Sequence, residues 1–423
     1  MASARLHFLD AMGVGIAAST VAENRPLAQE AADGTASLLG GGSAEAGAAA
    51  MINGALIHAL EYDDTHIGSV VHGSAVAVPL ALDVSQLCAA SGQDLMRAYI
   101  GAWEVAIRIG LAGPGAFQEK GFQVTSVGGA IGAAAAASMI MRLDRQQTIS
   151  ALGIAGGQAS GTLAFLADGA MSKALNPGWA ARTGLEAARL ARAGMTGPEE
   201  VLESRFGVMN IFASGPETLA DNLASLGNEW FLPKAAFKLY PCCHYIHPFL
   251  EAVEQVMGKG VAARDIVSLT AHVPPPAAPL VCEPWSRRQA PASGYDGKWG
   301  LAYCMALMFR HGRVDVASFE TQPDPDTVSL ARKMAWQPLQ DHGFPDRFAA
   351  RIDVDTPQGI ISAEVAQVRG APDRAVGMPD IVPKFLANAT RRYDPETAGR
   401  LKAYILNIDS VSEIGELADL LAD

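Results

Sequence analysis

Hydrophobic and polar positions follow two rhythms along this chain, and the change falls near residue 230. Before it, apolar residues recur at helical spacing, starting with Leu6, Leu9, Met12 and Ile16. The pairs Ser91-x-x-Asp94, Asp144-x-x-Gln147 and Thr196-x-x-Glu199 each set a capping side chain three residues before a reciprocal partner, and Gly194 suits a left-handed helix end. The run VGGAIGAAAAAS (127–138) has no bulk to hold helices apart, which predicts a compact bundle. Residues 121–141 and 146–167 are long enough to cross a bilayer. They consist mostly of Gly, Ala, Ser, Thr and Gln, so buried helices are expected there, not membrane spans.

After residue 230 the period shortens. The runs at 266–273, 351–356 and 359–368 alternate or are β-branched between Pro/Gly turns, which predicts strands. A helix is expected up to Gly312, and two short helix candidates lie within 324–340. From about Asp380 the helical rhythm returns. The expected fold is mostly α: a large all-helical domain built from both chain ends (1–228 and 372–423) plus a smaller α+β domain (229–371).

Composition narrows the partners. With 423 residues, 49% hydrophobic and 18% charged, the chain can bury a large core, and its sparse charge points to further surface hidden in an oligomer. A net charge of −12 without basic runs argues against nucleic acid or an anionic membrane as partner. A small anionic substrate stays compatible, because a pocket's field need not follow the net charge. Five cysteines without a C-x-x-C pair form neither a disulfide framework nor a zinc ribbon, and fit a reducing cytoplasm. Asp10 interrupts the apolar N-terminus, which therefore reads as an amphipathic first helix rather than a signal peptide.

Three windows carry chemistry. In EYDDTHIGSVVHGS (61–74), His58, Glu61, Tyr62 and Thr65 fall at i, i+3, i+4 and i+7, which predicts one stripe of a helix begun near Glu45. Asp63 and Asp64 lie off that stripe, and Ser74 would cap the next helix. The window reads either as a polar pocket wall or as an exposed helix–loop–helix corner. A second window holds Lys238, Tyr240, Cys242, Cys243, His244 and His247, side chains able to move protons once their pKa values are tuned, or else a buried junction. Five of the nine histidines fall in or beside these two windows. His244-x-x-His247 can offer two imidazoles to a metal. However, no H-E-x-x-H and no paired ligand spacing accompanies it, so no metal is expected. The third window, from Asp168 through Lys173 and Asn176 to Gly178, sets a lysine in a turn before a long apolar helix (179–193), where it can hold a carboxylate or merely cap. A similar polar turn, 121–126, carries Gln123. Phosphate-loop and dinucleotide fingerprints are absent.

HALEYDDT followed by His72-Gly73-Ser74, then GAAAAA, ALGIAGGQASG, DGAMSKALNPGWAA, FKLYPCCHYIHP and a late KFLANA, occur in that order over nearly the whole chain. This series resembles the MmgE/PrpD family, which contains 2-methylcitrate dehydratase, cis-aconitate decarboxylase and iminodisuccinate epimerase. The resemblance implies that the α+β domain is a lid, that a cleft lies between the domains, and that the protein is a homodimer without metal or organic cofactor. It places Asp63, Asp64, Thr65 and His72 on the family's Asp-Asp-Thr…His segment and Lys173 on its site lysine. Lys238, Tyr240, Cys243 and His247 fall in the lid-junction segment. Four positions depart from the usual pattern: Glu61 replaces Asp, Gly73 replaces Pro, and Gln123 and Asn176 each replace a histidine. Neither amide exchanges a proton at neutral pH, so a changed substrate or reaction is expected.

The expected mechanism is proton abstraction next to a carboxylate on a small di- or tricarboxylate, through an enolate-like state. Lys173 and Lys238 would anchor carboxylates, His72 and His247 would act as acid and base, Asp63 and Asp64 would orient a histidine, and Tyr240 would be a reserve donor. Asp64, Thr65, Gln123, Cys243 and Asn176 would line the substrate. Dehydration of a hydroxy acid is the leading expectation, followed by epimerisation of an amino- or imino-dicarboxylate. A non-catalytic metabolite-binding protein is the reading from another class.

Overall fold

The computed structural model describes residues 1–29, 33–167 and 170–422. The fold is mostly α, with one four-stranded sheet and one two-stranded ribbon among the described residues. The chain folds into two compact units: Met1–Ala59, Asp63–Phe237 and Gly377–Asp423 form one, while Leu60–Tyr62 and Lys238–Val376 form the other.

The first unit is built around the helices Ala46–Ala59, Ser74–Leu87, Gly92–Leu111, Val124–Ile140 and Ser172–Arg192. Its small residues let backbones touch. A Cβ on Gly178 would lie 2.0 Å from the Met51 carbonyl oxygen, and one on Gly54 would lie 2.6 Å from the Gly178 Cα. Helices 46–59 and 172–192 therefore pack at backbone distance, and this seats the start of the second helix against the end of the first. Both chain termini join the unit. Helix Ala2–Ser19 packs on Met378–Ala389, and inside that contact Lys384 Nζ meets the two Asp10 carboxylate oxygens at 2.7 and 3.0 Å.

The second unit is a sheet in the order 334–338, 268–273, 350–356, 359–365, its first pair parallel and the others antiparallel. Helices His247–Gly258 and Leu301–His311 pack with it, and Phe249, Val253, Met305, Ile352 and Val354 share its core. The 301–311 helix ends where a left-handed Gly312 (φ 67°) stops it, as expected from the sequence.

Several local expectations need correction. The helix begun near Glu45 ends at Ala59, and Glu61 sits in the left-handed region (φ 55°), so Glu61, Tyr62 and Thr65 are not on a helical stripe with His58. Ser74 is the first helical residue rather than a cap, and its hydroxyl donates to Asp64 instead. No helix opens at Thr196, whereas Ser91 and Asp144 cap as predicted. Residues 334–338 form a strand, not a second helix, because their backbone pairs with 269–273. Helix 2–19 is buried almost all round and so is not amphipathic. Lys173 lies within the first turn of helix 172–192, not in a turn before it. The 124–140 helix is buried as expected, while 145–157 buries only one side. Among the described residues, no helix is long and apolar enough to cross a membrane.

Candidate active site

The end of helix 46–59 delivers His58 into the interior, and the chain then runs through Asp63–Thr65 to His72 before helix 74–87 begins. Asp63 is fully buried, and its Oδ2 receives two imidazoles: His58 Nδ1 at 2.8 Å and His72 Nδ1 at 3.3 Å. Thr65 Oγ1 lies 3.2 Å from the same His72 nitrogen, and the His72 main-chain N–H donates to Thr125 Oγ1 at 3.0 Å. The two rings meet edge to face with centroids 4.9 Å apart. Burial pushes the Asp63 pKa up, but the two imidazoles outweigh it and hold the carboxyl well below the usual range. Asp63 is thus a fixed anion between two histidines, of which only His72 retains some exposure, 14% of its side chain.

Behind His58 stands a chain of amides. Gln123, at the start of helix 124–140, directs Nε2 to His58 Nε2 at 3.1 Å, and Asn176 Nδ2 donates to Gln123 Oε1 at 2.8 Å. Ser126 Oγ donates to the main-chain carbonyl of Asn176 at 3.1 Å. Lys173, three residues before Asn176, is buried in the same first helical turn. Asp168 and Gly169, which open that motif, lie outside the described residues.

Asp64 faces a different set of partners. Its Oδ2 receives Ser74 Oγ at 2.6 Å and His7 Nδ1 at 2.8 Å, and its Oδ1 receives the Ser74 N–H at 3.3 Å. Both oxygens are committed inside a buried network with Tyr99 and Trp103, so the expected substrate contact of Asp64 finds no open oxygen. Trp103 explains one departure from the family pattern. A Cβ at Gly73 would stand 2.3 Å from its indole ring, so no larger residue fits there. Between these groups Val70 holds φ 57°, ψ 29°, a left-handed conformation that costs a β-branched residue on the order of 1–3 kcal/mol.

Within the second unit, Lys238 donates to the Glu61 carbonyl at 3.1 Å and approaches its carboxylate at 3.6 Å, while Lys298 donates to the Leu60 carbonyl at 2.9 Å. His247 points Nε2 at the Cys242 carbonyl, 3.3 Å away. Tyr240 donates to Glu254 at 2.7 Å, and burial together with that carboxylate pushes its hydroxyl pKa up. Burial likewise pushes the Cys243 thiol up to about 12, which keeps it protonated at neutral pH.

His58, Asp63 and His72 offer ligand atoms lying within 4.8 Å of one another, enough to converge on a cation. At 2.8 Å His58 Nδ1 and Asp63 Oδ2 also form a hydrogen-bonded pair, while the buried Asp63 Oδ1 has no hydrogen-bond partner among the described residues. Sequence reasoning missed His7, Asp10, Ser74, Tyr99, Trp103 and Lys384, and left His58 out of the site. Asp10 in an apolar helix and Lys384 in PKFLANA were the signals: a charge on an otherwise apolar face needs a buried partner.

A buried carboxylate holding two imidazoles inside a helical body brings together groups that can exchange protons. The MmgE/PrpD N-terminal domain model matches residues 1–219 and the MmgE/PrpD C-terminal domain model residues 240–410; the chain belongs to the MmgE/PrpD family. It is similar to a cis-aconitate decarboxylase-like protein of Aspergillus oryzae, 28% identical over 398 residues that cover 89% of this chain and 82% of that one. It is also 28% identical to a cis-aconitate decarboxylase of Aspergillus terreus over 399 residues, 88% of this chain and 81% of the other. The human cis-aconitate decarboxylase is 27% identical over 385 residues, 88% and 79% of the two chains.

Proposed function

We propose that this chain is a lyase acting on a small di- or tricarboxylate, with proton transfer at the carbon next to a carboxylate carried by its own side chains. The observation that carries the reading is Asp63, a buried anion that orients His72 and can balance the imidazolium formed when His72 takes a proton. Lys173, in the first turn of helix 172–192, would hold a substrate carboxylate, since a lysine at a helix N-terminus favours an anion.

Two lyase reactions fit such a centre. In decarboxylation the bond to the departing carboxylate breaks, carbon dioxide leaves, and His72, protonated from water beforehand, gives its proton to the carbon that keeps the electron pair. In dehydration His72 removes a proton from carbon, and the hydroxyl leaves as water after gaining a proton. The relatives named cis-aconitate decarboxylase favour the first, and we take decarboxylation of a cis-aconitate-like acid as the leading reaction, ahead of hydroxy-acid dehydration. Incubation with cis-aconitate and with 2-methylcitrate in deuterated water, followed by NMR, tests both. Decarboxylation of cis-aconitate is expected to place one deuterium on a product carbon, and dehydration of 2-methylcitrate to give an alkene that has lost a carbon-bound hydrogen and gained none. Proton exchange without product would move the reading to epimerisation, and neither product nor exchange with any candidate would overturn it.

A further inference from the structure

We infer that the Asn176–Gln123 amide pair fixes His58 as a neutral Nδ1–H imidazole, so that His72 alone carries the exchangeable proton of this cluster. His58 is then a positioning residue. As an anion Asp63 only accepts, so the proton between it and His58 belongs to Nδ1. At the other ring nitrogen Gln123 donates, and an amide N–H requires a lone pair on His58 Nε2. The amide is held in that sense by Asn176, which donates to Gln123 Oε1. Protonating His58 would set two donors face to face, and relief requires both amides to turn over together.

Charge count points the same way. One Asp63 charge balances one imidazolium, and His58, with a fully buried ring, is the costlier place for it. The other charged groups on surrounding elements have places of their own: His7 pairs with Asp64, Asp10 pairs with Lys384, and Lys173 sits on the 172–192 helix. The amides at 123 and 176 therefore set the polarity of a hydrogen-bond chain that ends on the catalytic carboxylate.

The catalytic consequence rests on the proposed function; the tautomer does not, and nitrogen-15 NMR of histidine-labelled protein reads it without substrate. At neutral pH His58 should show a protonated Nδ1 and a lone-pair Nε2. Its signals are assigned by their loss in H58Q or, should that variant not fold, through proton contacts with the His72 ring. N176D supplies the decisive comparison. An acceptor at 176 turns the Gln123 amide over, its oxygen faces His58, and both His58 nitrogens become protonated at neutral pH. In turnover, N176D should lower kcat about 100-fold at little change in KM and add a second ionisation to the pH–rate profile. A wild-type His58 protonated on Nε2, or an N176D spectrum identical to wild type, overturns the inference. Failure to turn over any tricarboxylate, with the NMR result as expected, overturns only the function.

Discussion

The polar clusters of the two units differ in what holds them. In the helical unit side chains hold side chains: Asp63 takes two imidazoles, Gln123 takes Asn176, and Thr65 sits beside His72. In the α+β unit the three basic side chains are tied to the main chain, Lys238 to the Glu61 carbonyl, Lys298 to the Leu60 carbonyl and His247 to the Cys242 carbonyl, while Tyr240 donates to the Glu254 side chain. A carbonyl always accepts, so those donors are fixed by the fold. A side-chain network can reverse its polarity when a proton moves. We therefore read the helical cluster as the seat of proton transfer and the α+β cluster as fixed positive charge.

The sharpest way to break that comparison is D63N. An amide cannot balance an imidazolium and forces one histidine out of its orientation, so kcat/KM should fall by about 1000-fold or more. Y240F in the other unit should cost less than about 10-fold, because its hydroxyl is spent on Glu254. Equal losses in a turnover assay would erase the division of labour.

The two lysines test the same point through different readouts. K238M removes the buried ammonium beside Glu61, whose side chain is 4% exposed, and should cost about 3–5 kcal/mol in denaturant unfolding. K173M, if Lys173 holds a substrate carboxylate, should instead raise KM by about 10- to 100-fold with a smaller loss of stability. A KM effect confined to K238M would reverse the assignment of anchors.

A stability profile against pH probes the segment between Asp63 and His72. Burial, aided by Lys234, depresses His66 to about 4 from an ordinary 6.5. The unfolded chain then binds the extra proton between those values, so stability rises with pH across the window and is lost as pH falls from 6.5 to 4. The shift corresponds to about 3 kcal/mol. H66Q keeps an acceptor for the Ser69 N–H and should flatten that window. An unchanged slope in H66Q would remove His66 as its source.

Much of this was legible in the chain and some was not, for separate physical reasons. Helix caps at Ser91 and Asp144 and the strand at 350–356 depend on local spacing, and local spacing is what a sequence prints. The stripe through His58, Glu61 and Thr65 failed because a left-handed residue at Glu61 ends the helix, and nothing in the residue type Glu announces a positive φ. The partnership of Asp64 with His7 spans 57 residues, and that of Asp10 with Lys384 spans 374, separations no local pattern records. The sequence marked Gln123 and Asn176 as departures from the family pattern. Only their geometry shows that they bond to each other and to His58.

The smallest effect concerns packing beside the site. Gly73 has ordinary right-handed backbone angles (φ −73°, ψ −33°), so only space forbids a side chain there. The obstacle is the Trp103 ring, which a Cβ would meet at 2.3 Å and which is pinned by hydrogen bonds to Ser74 and Tyr99 at 3.1 Å each. G73A should therefore cost about 1–3 kcal/mol. In the other unit Gly297 also faces an aromatic ring, that of Tyr303, but at 3.0 Å, where a shift of a few tenths of an ångström suffices. G297A should stay within about 1 kcal/mol of wild type. Thermal unfolding of both variants, and of G73A combined with W103L, separates a steric cause from a backbone one. If the ring is the obstacle, the double variant is more stable than the sum of the single losses predicts. Strict additivity would mean that Gly73 is there for some reason other than the indole, and the steric explanation of this departure would fall.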